Sequence, residues 1–253
     1  MGDLAAVTER RGADRQDIGS GGERSATQRR RASRSERRAL LARFTRLREV
    51  PGIPELRLRL ADEAEPVWEA VAAATAGERR ADAVPIPFWA FAWSGGLALG
   101  RYVLDHESEV RGRHVLDLGT GSGLVAIAAA RVGAASVIAA DIDPFAETAV
   151  EANAKANDVS VEFVRRNLLV DDPPDIDVIL AADTWYESAL AERVLPWLEG
   201  AVARGISVLV GDPGRRYLPV DHLTEIAGYD VQTTTALEDR ATVHARVYRV
   251  GRE

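Results

Sequence analysis

Short apolar runs alternate with longer amphipathic segments from residue 111 onwards. The apolar runs are rich in valine, isoleucine and alanine, and the segments between them carry apolar residues at helical spacing. Strands that alternate with helices in this way predict βαβ units and a parallel sheet. The predicted strands are 113–118, 136–141, 160–165, 176–182 and 205–210, and the predicted helices are 123–132, 144–156 and 187–202.

Two β-rich segments close the chain, at 228–235 and 241–250, and predict an antiparallel hairpin. The expected fold class is therefore α/β, with a Rossmann-like doubly wound sheet of seven strands. Five of these strands are parallel, and the C-terminal antiparallel hairpin supplies the other two. Ligands bind at the carboxyl ends of the strands in such a sheet, so the candidate site is sought where the apolar runs end.

The N-terminal part of the chain has a different pattern. Residues 1–36 are polar, aperiodic and rich in arginine, which predicts a disordered tail. Apolar residues at helical spacing predict a helix over 37–50, which Pro51 would end. Further predicted elements are a strand at 56–60, a helix at 65–74, an aromatic cluster at 88–93 and a helix at 97–104. We therefore divide the chain into this tail, an N-terminal helical and aromatic extension (37–110) and an α/β core (111–253).

The segment VLDLGTGSG at 115–123 predicts a strand, a glycine turn and the start of a helix. Glycines let backbone N–H groups approach a ligand, and a helix N-terminus favours negative charge. A dinucleotide-binding turn would have glycine where this chain has Leu124. Asp117 lies inside the strand, where a carboxylate can bind the amino group of an amino-acid tail. Asp141 ends the next apolar run and can accept bonds from both hydroxyls of a ribose.

This pattern resembles the first motif of class I S-adenosylmethionine (SAM)-dependent methyltransferases. The resemblance implies that SAM is the cofactor, and that Asp117, Gly119, Gly121, Gly123 and Asp141 bind it. Asn167, at the end of the third strand, is either the polar residue that this class places against adenine or a turn-forming asparagine. Asp143 precedes Pro144, and a side-chain acceptor before proline is typical of a helix N-cap.

The fourth strand ends in Asp183-Thr184-Trp185-Tyr186, beside the expected position of the sulfonium. A carboxylate with two aromatic rings suits an acceptor amine that is cationic before reaction. Asp-Pro-Pro-Tyr, which would indicate methylation of an amide or a base amine, is absent from this position. The competing interpretations are a helix-capping role for Asp183, at the helix predicted from 187, and a packing role for Trp185.

Four segments together narrow the resemblance: FWAFAWSGG, DIDP, ADTWYES and VLVGDPGR. They are similar to the seven-β-strand protein-lysine methyltransferases of the electron-transfer-flavoprotein β-subunit type and their bacterial relatives. The resemblance implies that Trp93 and Gly95–Gly96 lie over the cofactor and that Asp183 and Tyr186 form a lysine channel. Ser94 and Trp185 depart from the pattern, since those relatives usually have proline and phenylalanine at these two positions. The segment DPGR at 212–215 has the composition of a turn and the position of an active-site rim, and we interpret it as a turn.

Composition excludes several classes of function. Cysteine is absent and the four histidines are scattered without ligand spacing, so no metal is predicted. The first 40 residues carry a net charge of +4 and the other 213 a net charge of −11, which makes a nucleic-acid partner a poor fit. Neither a membrane span nor a secretory signal is found, so a cytoplasmic protein is expected. The oligomeric state is not indicated by the sequence.

The expected function is SAM-dependent N-methyl transfer to a protein lysine, with Asp183, Tyr186 and Trp185 as the acceptor-site residues. One alternative is methylation of a small nicotinamide-like amine, for which a closed and narrow acceptor pocket would be the indication. A second alternative, from another class, is a non-catalytic SAM-binding protein.

Overall fold

The computed structural model describes residues 32–75, 86–233 and 241–251. Its N-terminal part has two helices that flank a β-hairpin. These elements are α1 (Arg34–Phe44), β1 (Arg46–Val50), β2 (Ile53–Leu60) and α2 (Ala64–Ala74). A 3₁₀ turn at Phe88–Ala90 then leads into α3 (Ser94–Asp105). Residues 1–31 of the tail predicted at 1–36 lie outside the described residues.

The helix predicted over 37–50 is wrong at both ends. Ser33 and Glu36 form a capping box, so α1 begins at Arg34, three residues before the predicted boundary of the tail. The helix ends at Phe44, and residues 46–50 form β1. This strand pairs antiparallel with β2, beginning with Arg46 opposite Leu60. The helical spacing of Leu47 and Val50 does not decide the structure here, because residues 46–50 pair with a strand three to fourteen residues further along the chain.

Strands and helices alternate through the core as predicted. In chain order the elements are β3 (His114–Leu118), α4 (Leu124–Arg131), β4 (Ser136–Asp141), α5 (Pro144–Ala156), β5 (Glu162–Arg165), β6 (Val178–Ala182), α6 (Ser188–Ala203), β7 (Ser207–Asp212), β8 (Leu223–Gln232) and β9 (Thr242–Val250). The seven-stranded sheet has the order β5-β4-β3-β6-β7-β9-β8. Strands β3 to β7 are parallel, and β9 pairs antiparallel with both β7 and β8, which confirms the predicted fold class.

Strand order reverses at β3, because β4 lies on one side of it and β6 on the other. Such a switch point leaves a crevice at the carboxyl ends of the strands, where ligands of open α/β sheets bind. Alternate residues of β3 point to opposite faces of the sheet: Val115 packs in the core with α3 and α4, and Leu116 in the core with α6. Helices therefore cover both faces of the sheet. Among the described residues no helix has the length and apolar character to cross a membrane.

The N-terminal extension packs on α5. Arg37 is buried, and its guanidinium donates to Glu147 Oε2 at 3.0 Å and to Thr148 Oγ1 at 3.3 Å. The Trp89 ring stacks on Phe145, with 5.6 Å between the centroids. These contacts place the aromatic cluster beside the carboxyl end of β4, where α5 begins.

A close backbone contact joins α3 to the end of β7. A Cβ at Gly211 would lie 2.2 Å from the Gly95 carbonyl oxygen, and one at Gly95 would lie 2.3 Å from the Gly211 oxygen. No real Cβ tolerates such distances, so glycine is required at both positions. This contact fixes the beginning of α3 against the carboxyl edge of the sheet.

We predict that Gly211→Ala lowers the free energy of unfolding by about 3 kcal/mol or more, since the new methyl group overlaps backbone atoms. The matched control is Gly200→Ala, on the exposed side of α6, where a Cβ meets nothing within 4 Å. This control should stabilise the protein by about 0.5–1 kcal/mol through helix propensity. Urea unfolding of both variants tests the prediction, and equal effects would contradict it.

Candidate active site

The glycine turn after β3 is built on left-handed backbone. Gly119, Gly121 and Gly123 have φ angles of +71°, +52° and +83°, which other residues rarely adopt. Gly123 is the N-cap of α4. A Cβ at Gly121 would lie 3.6 Å from the Phe88 carbonyl oxygen, so the aromatic cluster passes directly over the turn.

Asp117 fixes the conformation of this turn through hydrogen bonds. It is 2% exposed, and its Oδ2 accepts hydrogen bonds from the Thr120 hydroxyl at 2.6 Å and from the Ala126 N–H at 3.0 Å. Burial raises the pKa of Asp117 to about 7 and the nearby Asp141 charge adds to the rise, whereas the bonds from Thr120 and Ala126 oppose it. The structure therefore gives Asp117 a structural role, fixing the turn, which the sequence did not indicate.

Asp141 lies at the end of β4. Its Oδ2 accepts from the Gly121 N–H at 3.0 Å and its Oδ1 from the Asp143 N–H at 2.9 Å, which fix the orientation of the carboxylate. Burial raises the pKa of Asp141, and the backbone N–H donors, with Asp143 first, oppose the rise. Asp143 accepts from the Phe145 N–H at 2.8 Å and precedes Pro144, which confirms its prediction as the N-cap of α5.

A cavity of about 490 Å³ opens at this edge of the sheet. Of the predicted site residues it is lined by Trp93, Asp117, Gly119, Gly121, Asp141, Asn167, Asp183 and Tyr186. Gly95, Gly123 and Trp185 do not line it. The first two of these have backbone roles instead: Gly95 allows the contact with Gly211, and Gly123 caps α4.

Asn167 accepts a hydrogen bond from the Leu169 N–H at 3.1 Å and so caps a 3₁₀ turn at Leu168–Val170. This bond is the one that the turn-forming interpretation predicts. Because Asn167 also lines the cavity, its contact with adenine stays a prediction.

Aromatic rings form one wall of the cavity. The Phe88 ring lies 5.4 Å from the Trp93 ring and 5.0 Å from the Tyr186 ring, measured between centroids. The Trp93 Nε1–H donates to the Phe88 carbonyl at 3.0 Å. Phe88 lies at the centre of this wall, whereas Trp89 is buried against Phe145. The spacing of the aromatic residues in the sequence does not predict this difference.

Asp183 is in the left-handed region at φ +55° and lies at the carboxyl end of β6. Its Oδ1 accepts from the Gly95 N–H at 3.1 Å, and its Oδ2 from the Gly96 N–H at 2.7 Å. Asp183 therefore caps α3. The competing interpretation of Asp183 as the cap of α6 is wrong, because Glu187 is the N-cap residue there.

Arg215 completes the surroundings of Asp183. Its Nη2 lies 2.7 Å from Asp183 Oδ1. The buried Asp212 accepts from the Gly214 and Arg215 N–H groups at 2.7 Å each. Burial raises the pKa of Asp212 to about 7 with help from the Asp183 charge, against the bonds and charge of Arg215. The prediction of a turn at 212–215 does not include this pairing, because only the fold brings the ends of β6 and β7 together.

Trp185 and Tyr186 point in opposite directions. Trp185 is fully buried in the core beneath α6, and its Nε1 has no hydrogen-bond partner among the described residues. The prediction that Trp185 is an acceptor-site residue is therefore wrong, and its packing interpretation describes the structure. Tyr186 is 40% exposed at the rim of the cavity, and burial of the rest of its ring raises the pKa of its hydroxyl.

Comparison with known proteins gives matches to methyltransferases. The family model described as "Ribosomal protein L11 methyltransferase (PrmA)" matches residues 99–183, which include the glycine turn, Asp141 and Asp183. A crystal structure of ribosomal protein L11 methylase from Lactobacillus delbrueckii subsp. bulgaricus has a TM-score of 0.45 and 22% identity, covering 61% of this chain and 77% of that one. The fold, the site and the family match define a Rossmann-like methyltransferase.

Two curated relatives narrow this class. The electron transfer flavoprotein beta subunit lysine methyltransferase of Rattus norvegicus is 36% identical over 203 residues, 77% of this chain and 76% of its own length. The Xenopus laevis protein of the same name is 34% identical over 219 residues, 83% of this chain and 85% of its own length. The chain belongs to the family of the electron transfer flavoprotein beta subunit lysine methyltransferases.

We predict that Asp117→Asn changes how stability depends on pH. In the folded state the pKa of Asp117 is raised from 3.8 to about 7, so its contribution to stability is complete below about pH 4 and is lost as pH rises to about 7. Asparagine stays neutral, and its carbonyl can accept the same two hydrogen bonds. The free energy of unfolding of the variant minus that of the wild type should therefore rise across this window, by at most about 1.4 kcal/mol per pH unit. Urea unfolding at several pH values measures this difference, and a constant difference would contradict the prediction.

Proposed function

We propose that this chain transfers a methyl group from SAM to the side-chain nitrogen of a protein lysine. The observation that carries the proposal is a single cavity with two kinds of lining. Asp141 and the glycine turn line one part, and Asp183 and Tyr186 line another. The names of the curated relatives support lysine as the acceptor.

The residues of the glycine turn fit SAM. The cavity volume of about 490 Å³ lies in the range of small-molecule sites. Each carboxylate oxygen of Asp141 accepts at least one backbone bond, so ribose hydroxyls can donate to a carboxylate already held in place. When bound, SAM would supply a methyl group activated by a sulfonium.

The acceptor end fits a long amine side chain. Asp183 receives three hydrogen bonds, two from backbone N–H groups and one from Arg215, which hold it as a fixed anion. One lone pair of Oδ2 can still accept a bond from the acceptor amine and orient it for attack. Phe88 and Tyr186 would wall the aliphatic part of the acceptor. Because Tyr186 is partly exposed, the end of the cavity is open, which favours a protein lysine over a small amine.

Cofactor binding gives the first test. Asp141→Ala should weaken SAM binding roughly 10- to 100-fold, because charge-assisted bonds to the ribose are lost. Asp143→Asn is the matched control: it keeps the cap of α5 and should change the affinity only a few-fold. Calorimetry with both variants measures the effect. A larger loss in Asp143→Asn than in Asp141→Ala would assign the ribose to Asp143.

Methyl transfer gives the second test. The protein is incubated with methyl-labelled SAM and purified electron transfer flavoprotein β subunit of its own source, and in parallel with nicotinamide. We expect labelled lysine in the protein, identified by mass spectrometry, and roughly 100-fold less transfer by Asp183→Asn. In Asp183→Asn the amide N–H₂ must face another donor, either the Gly96 N–H or Arg215, which costs stability. The melting temperature of this variant is therefore measured alongside. Label on nicotinamide alone, or cofactor binding without transfer, would contradict the proposal.

A further inference from the structure

Arg215 links the two sides of the acceptor end. Its Nη2 lies 2.7 Å from Asp183 Oδ1, and its guanidinium carbon lies 6.0 Å from the centroid of the Trp93 ring. Both charged side chains are largely buried, at 15% exposed for Arg215 and 13% for Asp183. A buried cation between a carboxylate and an aromatic ring is oriented by both of them.

Asp212 fixes the loop that carries Arg215. Its carboxylate is fully buried, and Oδ1 accepts from the N–H groups of Gly214 and Arg215. The Arg215 Nε lies 3.9 Å from the other oxygen, Oδ2. One guanidinium therefore faces two carboxylates from the ends of neighbouring strands.

The contacts form a closed ring around the acceptor end. Asp183 contacts Arg215, Arg215 faces Trp93, Trp93 packs on Phe88, and Phe88 packs on Tyr186, three residues after Asp183. We call these five residues the acceptor ring. They come from three separate segments of the chain, and Arg215 is the member that joins the strand ends to the aromatic wall.

We propose that Arg215 is a positioning residue, which acts through Asp183 to hold the carboxylate and the aromatic wall in the arrangement that receives the acceptor amine. This inference rests on the proposed function. Arg215 stays charged at all working pH values and so does not act as a base. Without Arg215, Asp183 would keep its two backbone donors. It would lose the guanidinium, which fixes the position of Oδ1 and whose positive charge lies between Asp183 and Asp212.

Variants of the full-length protein test this role. Arg215→Gln should lower kcat for the protein acceptor roughly 10- to 100-fold, because small displacements of a reacting group are costly, while SAM affinity stays within a few-fold. Arg215→Lys should recover part of the rate, since an ammonium can bond one carboxylate but not span two. The control is Arg216→Gln, next in sequence and exposed, whose guanidinium lies over Tyr217 and outside the acceptor ring. It should leave kcat unchanged.

A double-mutant cycle separates a positioning role from an independent one. If Arg215 acts through Asp183, adding Arg215→Gln to Asp183→Asn should lower kcat by no more than about 3-fold. Multiplicative losses, or an unchanged kcat in Arg215→Gln, would overturn the proposal.

A second cycle uses the melting temperatures of the same four proteins without ligand. The two losses should be strongly non-additive if the residues pair as the structure has them, and additive losses would overturn the pairing. This cycle does not depend on methyl transfer. If the wild type transfers methyl to no acceptor, the proposed function fails, and the melting cycle still decides whether the pair exists.

Discussion

The carboxylate of Asp183 is the interaction on which the arrangement of this site depends. It accepts hydrogen bonds from the N–H groups of Gly95 and Gly96 in the first turn of α3 and from Arg215 after β7, while its own backbone directly follows β6. A helix N-terminus has unsatisfied donors and a partial positive charge, so an anion there satisfies both. The contact between Gly95 and Gly211 brings these elements close enough for one side chain to join them. The fold alone therefore fixes the carboxylate of Asp183.

Local features of the chain were predictable and long-range ones were not. The strands of the core, the glycine turn, Asp141 at the end of β4 and the cap at Asp143 follow from patterns within a few residues. The strand β1 was mistaken for a helix because pairing with β2 decides its structure. Trp185 and Tyr186 are neighbours with the same aromatic character, and only the packing of α6 determines that one is buried and the other lines the cavity. The cap of α3 by Asp183 joins residues 88 positions apart, which no local pattern reveals.

Buried carboxylates control the electrostatics of the cavity edge. Asp117 accepts a bond from the Ala126 N–H in α4, and Asp212 accepts bonds from the N–H groups of Gly214 and Arg215 in the turn after β7. Burial raises the pKa of each carboxyl group to about 7. Their formal charges therefore overstate the negative potential of the site at neutral pH. Asp141 and Asp183 each receive hydrogen bonds on both oxygens, which hold their carboxylates in fixed orientations. Burial raises the pKa of Asp141 too, so hydrogen bonding on both oxygens fixes the orientation of a carboxylate without removing the effect of burial.

The N-terminal extension is part of the site. Phe88 and Trp93 supply most of the aromatic wall, and they reach the cavity because Trp89 stacks on Phe145 at the start of α5. The same helix carries Asn153, which is fully buried, donates to the Ser122 carbonyl in the glycine turn and accepts from the Arg59 N–H in β2. One amide thereby couples the hairpin to the turn. Since an unsatisfied buried amide is costly, moving the hairpin would disturb the turn as well. A boundary at residue 110 divides the chain by sequence pattern, but the cavity is formed by both sides of it.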